Sequence, residues 1–106
     1  MAREKLTDDE VRTQAGELSE EWTVAEGQRL ERTVRFPDFA QGLAFTNRVG
    51  ALAEEANHHP DILLTWGRVT LTLWTDDAGG LTHHDFALAK QIDAVVTPPA
   101  TTPRQD

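Results

Sequence analysis

Cysteine is absent, serine occurs once (Ser19), and no apolar run approaches the length needed to cross a membrane. The first absence excludes disulfides and cysteine-ligated zinc and leaves the redox compartment open. The second leaves serine-based nucleophilic catalysis little to work with. A glycine-rich phosphate loop is also missing, because "AGG" at 78–80 has neither the length nor the lysine of one. Positive charge is scarce: Lys+Arg is 10 against Asp+Glu 18, a formal net charge of −8. That field repels phosphate backbones and acidic lipids, so neither nucleic acid nor a membrane surface is an expected partner. A small neutral ligand or another protein fits better. Apolar residues make up 39% of the 106, thin for a self-sufficient single domain, which hints at core completed across a subunit interface. No basic segment leads into an apolar one as in a secretory signal, so a cytoplasmic protein is expected.

Local signals then divide the chain. Thr7 is an N-cap, Glu10 closes a capping box, and Leu6 with Val11 forms a hydrophobic staple, which predicts a helix over about Asp8 to Leu18. From Trp22 the period falls to two. Val24, Leu30, Val34 and Phe36 fit a half-buried hairpin turning at "AEGQ", with Arg32 as the odd member of its inward row. Pro37 and Asp38 start a second helix. Its stripe is Phe45, Val49, Leu52, Ala53 and Ala56, and Gly42, Ala44, Gly50 and Ala51 slim it for close approach to a sheet. Asn57 and Pro60 end it.

"DILLTWGRVTLTLWT" predicts a second hairpin. A type II′ turn at Gly67-Arg68 would pair Trp66 with Val69, Leu64 with Leu71 and Ile62 with Leu73. The same ladder, carried past the strand ends, sets His59 opposite Asp76 and His58 opposite Asp77. Thr82 and Asp85 then cap a last helix running to about Val96, with Leu81 and Phe86 as its staple. The order α-β-β-α-β-β-α predicts an α+β domain over 1–96, an antiparallel four-stranded sheet with three helices packed on one face. The proline- and threonine-rich 97–106 is expected to be a disordered tail.

The four histidines occur as two pairs, His58-His59 and His83-His84. The predicted register gathers them with Asp76, Asp77 and Asp85 at one rim. Imidazole changes charge near neutrality, so such a rim is suited to moving protons on a bound small molecule. Structural readings stand beside this one. His58 and His59 could satisfy the last carbonyls of a helix, His83 and His84 could face water, and Asp85 could serve only the capping box. A histidine–carboxylate metal site is a further alternative, although no H-x-x-x-H or H-E-x-x-H spacing is present. Trp66 and Trp74 could be core or could flank a flat heteroaromatic ligand; Trp22 reads as core.

Taken together, "EEWTV", "RTVRFPDFAQGLAFTNRVGALAEEANHHPD", the following "TW" and "TLTLWTDDAGGLTHHDFALAKQID" resemble the pterin-4a-carbinolamine dehydratases over nearly the whole chain. The most specific part is Glu54, three residues, His58-His59-Pro60, the aromatic Trp66, and Asp85 in "GLTHHD". The resemblance implies dehydration of 4a-hydroxytetrahydropterin to quinonoid dihydropterin after aromatic amino-acid hydroxylation, in tetrahydrobiopterin recycling, with no metal or organic cofactor. It also implies a homodimer that extends the sheet, or a homotetramer. By the same resemblance His58 is the principal acid/base, His59 binds and assists, and Asp85 is the site aspartate. Pro60 matches the motif proline and fixes the strand direction, and Trp66 is the motif aromatic. From the residues themselves, Trp74, His83 and His84 are expected to join Trp66, His59 and Pro60 around the ring. One position departs from the family: where a third histidine usually follows threonine, this chain has Thr75-Asp76. A carboxylate there can act as base or hold a neighbouring imidazole protonated, but is a poorer general acid. Family members also serve as dimerisation partners of a homeodomain transcription factor or in carboxysomal and plastid enzyme assembly. A weakened member acting as a binding or assembly module is therefore the competing expectation.

Overall fold

The computed structural model describes residues 4–26 and 28–96; the expected tail, 97–106, lies outside the described residues. Helix α1 spans Asp8–Ala15, strand β1 Thr23–Ala25, β2 Arg29–Arg35, α2 Phe39–Ala56, β3 Asp61–Thr65, β4 Arg68–Leu73 and α3 His83–Val95. A single 3-10 turn, Asp76–Ala78, joins β4 to α3. The strands lie in the order β1-β2-β4-β3, each pair antiparallel. This is the expected α+β arrangement.

The alternation read from the sequence sets which face of the sheet is covered. Leu30, Val69, Leu71 and Leu73 are fully buried, whereas their neighbours Glu31, Thr33 and Arg35 on β2 are exposed. Phe45, Val49 and Ala53 of α2, with Phe86, Leu88, Ala89 and Ile92 of α3, complete the same core. Each large apolar side chain buried in this way contributes about 1.5–3 kcal/mol. Close approach of α2 to the sheet depends on Gly42, where a Cβ would lie 3.1 Å from Leu64 Cδ1. The other slim positions do not serve that purpose, because Ala44 and Ala51 are exposed and Gly50 faces open space. Ala56 is exposed as well, so the apolar stripe stops at Ala53.

The caps follow local chemistry. Thr7 and Glu10 form the reciprocal capping box, and both staple partners, Leu6 and Val11, are buried. Helix α1 ends at Ala15, short of Leu18, because Glu17 and Leu18 donate to carbonyls three residues back and tighten the chain into turns. At the end of α2, Asn57 adopts φ 51. The Asn57 N–H reaches Glu54 O and the His58 N–H reaches Ala53 O, the paired bonds of a Schellman motif.

The second hairpin differs from the expected register by two residues. Leu64 pairs with Val69, Ile62 with Leu71 and Thr65 with Arg68, so Trp66-Gly67 forms the turn. Neither turn residue has positive φ. The reason lies on the other side of β4. Arg35 pairs with Arg68, and the Phe36 N–H donates to Gly67 O at 2.9 Å, extending the β2 ladder into the turn. A shift of two preserves which side chains face inward but slides the open end of the hairpin. Continued past the strands, this ladder sets His59 across from Trp74 and His58 across from Thr75, in place of Asp76 and Asp77.

Arg32 is the inward charge that the pattern marked. Its Nη1 donates to Asp93 Oδ1 at 2.6 Å, and the same oxygen accepts Trp22 Nε1–H at 2.6 Å. Asp93 Oδ2 accepts the Ser19 N–H. One carboxylate thus ties β2, the segment before β1 and α3 around a guanidinium whose side chain is only 10% exposed. Removing one partner of such a pair leaves the other charge buried and uncompensated. Asp93→Ala should therefore lose about 3 kcal/mol of stability, read as a lower urea midpoint; an unchanged midpoint would show that Arg32 is satisfied without it.

Candidate functional site

Because backbone groups close the end of α2, the imidazoles of His58 and His59 are not used as caps. His58 is 7% exposed and its Nε2 lies 2.5 Å from Asp85 Oδ1. Asp85 is completely buried at the third position of α3, where it completes the capping box with Thr82. The sequence left open whether this carboxylate serves the cap or the histidine. It serves both. Oδ2 accepts the Thr82 N–H at 2.9 Å and the Thr75 hydroxyl at 2.8 Å, while Oδ1 meets His58. Thr75 and Thr82 touch through their hydroxyls at 2.8 Å. A buried carboxylate is tolerable only with such a set of donors.

His59 turns the other way, into solvent. Its Nε2 lies 2.6 Å from Glu54 Oε2, and both side chains are exposed. An open cleft of about 360 Å³ is lined by Asn57, His58, His59, Trp74, Asp76 and Asp77, within the size range of small-molecule sites. Trp74 is half-buried, and Arg29 from β2 stacks over its ring with the guanidinium carbon 4.2 Å from the centroid. This cation–π pair braces a flat aromatic surface at the edge of the cleft.

The remaining sequence candidates separate by position. His84 is half-buried with its ring centroid 5.9 Å from that of His58, so it stands beside the dyad. His83 points to α1, where its Nδ1 lies 3.3 Å from Gln14 Nε2. Pro60, half-buried, leads from His59 into β3. Asp76 and Asp77 are exposed on the 3-10 turn and reach the cleft from its rim. Trp66 is 69% exposed at the turn between β3 and β4. The cleft lies at the other end of that hairpin, about 20 Å of strand away, so this chain's own fold does not bring Trp66 to it. Thr75, Thr82, Asn57 and Arg29 were not read as site residues. The two threonines did leave a signal, since they flank the "DDAGGL" loop and their hydroxyls close it. Among the described residues, no three His, Asp or Glu side chains are grouped to hold a metal ion, and no helix is long and apolar enough to cross a membrane.

Comparison with known proteins adds independent findings. Residues 4–95 match the model of the family described as pterin 4 alpha carbinolamine dehydratase. A provisionally named pterin-4-alpha-carbinolamine dehydratase of Roseiflexus sp. (strain RS-1) is 46% identical over 92 residues, 87% of this chain and 97% of that one. A crystal structure of a transcriptional coactivator/pterin dehydratase from Brucella melitensis superposes with a TM-score of 0.82 at 28% identity, over 88% of this chain and 99% of that one. A pterin dehydratase-like protein described as a RuBisCO assembly factor in the alpha-carboxysome superposes with a TM-score of 0.56 at 28% identity, over 69% of this chain and 83% of that one.

Burial separates Asp85 from Asp76. Asp85→Ala removes a cap acceptor and strands the donors of Thr82, Thr75 and His58, so it should cost about 3 kcal/mol or more. Exposed Asp76→Ala should stay within about 0.5 kcal/mol. Urea unfolding of both variants checks the contrast; equal losses would contradict it.

Proposed function

The chain belongs to the pterin-4a-carbinolamine dehydratase family, and from that membership we propose that it eliminates water from a 4a-hydroxytetrahydropterin to give a quinonoid dihydropterin. The observation that carries the reading is His58: its ring is held by the buried Asp85 while it lines a cleft that also contains His59 and Trp74.

The elimination breaks the C4a–O bond and removes a proton from a ring nitrogen. One group must protonate the departing hydroxyl, which leaves as water, and another must accept the nitrogen's proton, so the enzyme's proton count is unchanged. Imidazoles suit both tasks near neutrality. We assign His58 as the principal acid/base and Asp85 as the group that holds it. His59, with Glu54 behind it, orients and assists. Trp74 offers its ring to the flat pterin, with Pro60 and His84 shaping the site. Asp76 acts from the rim as a base or as a partner that keeps an imidazole protonated. This chemistry requires no metal or organic cofactor. A role in tetrahydrobiopterin recycling in the cytoplasm follows from the same reading. So does a homodimer or homotetramer, for which exposed Leu63 on the edge strand β3, and Phe39 and Leu43 on α2, offer apolar surface.

A second reading has its own support. Asp76 stands where the family usually has histidine, and one structural neighbour is described as an assembly factor. In that reading the cleft binds a pterin without turnover, and the domain serves assembly. The rate of dehydration of freshly generated 4a-hydroxytetrahydropterin decides between them. Wild type should run well above the uncatalysed rate, and His58→Ala should lose about 10²-fold or more while still folding. Full activity in His58→Ala would overturn the assignment of His58. A wild type at background, with turnover gained in Asp76→His, would establish the second reading.

A further inference from the structure

The hydrogen bonds behind His58 leave little freedom for protons. An ionised carboxylate only accepts, and each threonine hydroxyl owns one proton. Thr75 spends its proton on Asp85 Oδ2 at 2.8 Å. In the 2.8 Å contact between the two hydroxyls, Thr82 must therefore be the donor. Thr82 Oγ1 in turn accepts the backbone N–H of His84 at 3.3 Å. A directed chain runs from Thr82 through Thr75 to Asp85, and none of the three is more than 1% exposed. With Oδ2 occupied by the Thr75 hydroxyl and the Thr82 N–H, Oδ1 is turned to His58 Nε2.

We propose that Thr75 is a positioning residue for His58: by aiming Asp85 it keeps the imidazole proton on Nε2 and leaves Nδ1 as the ring's acceptor. A carboxylate oxygen cannot donate, so the nitrogen facing it must carry hydrogen. A neutral imidazole has only one such hydrogen, and Nδ1 is then the acceptor. Thr75 itself touches no ligand in this account. It is joined to β4 and to the loop by its backbone, through the Thr75 N–H to Gly80 O at 2.9 Å, which fixes where its hydroxyl sits. The inference rests on the dehydratase reading only for what Nδ1 does, namely exchange protons with the pterin.

Long-range proton–nitrogen correlation spectra of the full ¹⁵N-labelled chain report the tautomer directly, at a pH where imidazole is neutral. The His58 signals are assigned by their loss in His58→Gln. Wild type should show Nε2 protonated and Nδ1 unprotonated. Thr75→Val keeps the side-chain shape without the hydroxyl. In it both nitrogens should move toward averaged values, and kcat should fall about tenfold with KM little changed. Thr75→Ser should restore both readouts. If Thr75→Val does not fold, Thr75→Ala carries the comparison. A wild-type His58 protonated on Nδ1, or a hydroxyl-free variant with an unchanged spectrum, overturns the proposal. The spectra need no substrate. A fixed Nε2–H tautomer that is lost in Thr75→Val, in a protein without turnover, would uphold the role of Thr75 and sink the dehydratase reading alone.

Discussion

A completely buried carboxylate, Asp85, holds the working end of this molecule together. Burying such a charge costs several kcal/mol unless donors surround it. Here they arrive from three directions: the start of α3 through the Thr82 N–H, the end of β4 through the Thr75 hydroxyl, and the end of α2 through His58. Because each donor satisfies the same group, the positions of these three elements are coupled. The imidazole is consequently placed by a requirement of folding as well as of chemistry. That is why a residue with an evident structural task, the N3 position of a capping box, can also be the group that orients the histidine.

A contrasting arrangement surrounds His59. Its partner Glu54 is exposed, as His59 itself is, and a solvated pair of this kind contributes little to stability. Both histidines follow the same helix end, yet one is held rigidly in a buried network and its neighbour lies at the mouth of the cleft. The left-handed Asn57 makes this division possible, since the backbone closes the helix and releases both side chains. Asp76 and Asp77 belong to the exposed side of the division. Asp76, where the resemblance leads one to expect a histidine, therefore belongs to the rim and lies outside the buried network.

What was legible in the sequence was what local chemistry decides. Thr7 with Glu10, Thr82 with Asp85, and the staples Leu6–Val11 and Leu81–Phe86 are each specified by residues a few positions apart. Arg32 could be marked as an inward charge from alternation alone. Its partner Asp93 could not, because the two meet only when α3 packs on the sheet. The hairpin register failed for a related reason. Gly67 looked like the start of a tight turn, but the Phe36 N–H on the neighbouring strand claims its carbonyl and shifts the turn by one position in each strand. That slip is what hid Thr75 from the site and set Asp76, in place of Trp74, across from His59. Trp66 is the opposite case: the resemblance expects it at the site, and this chain's own fold holds it at the far end of the hairpin.

The most direct test is a crystal structure of the protein with a bound dihydropterin. The ring should lie in the cleft, stacked toward Trp74, with a reacting-edge atom within hydrogen-bonding distance of His58 Nδ1 and His59 close by. A pterin seated elsewhere, or one in the cleft with His58 turned away from Asp85 and from the ring, would contradict it.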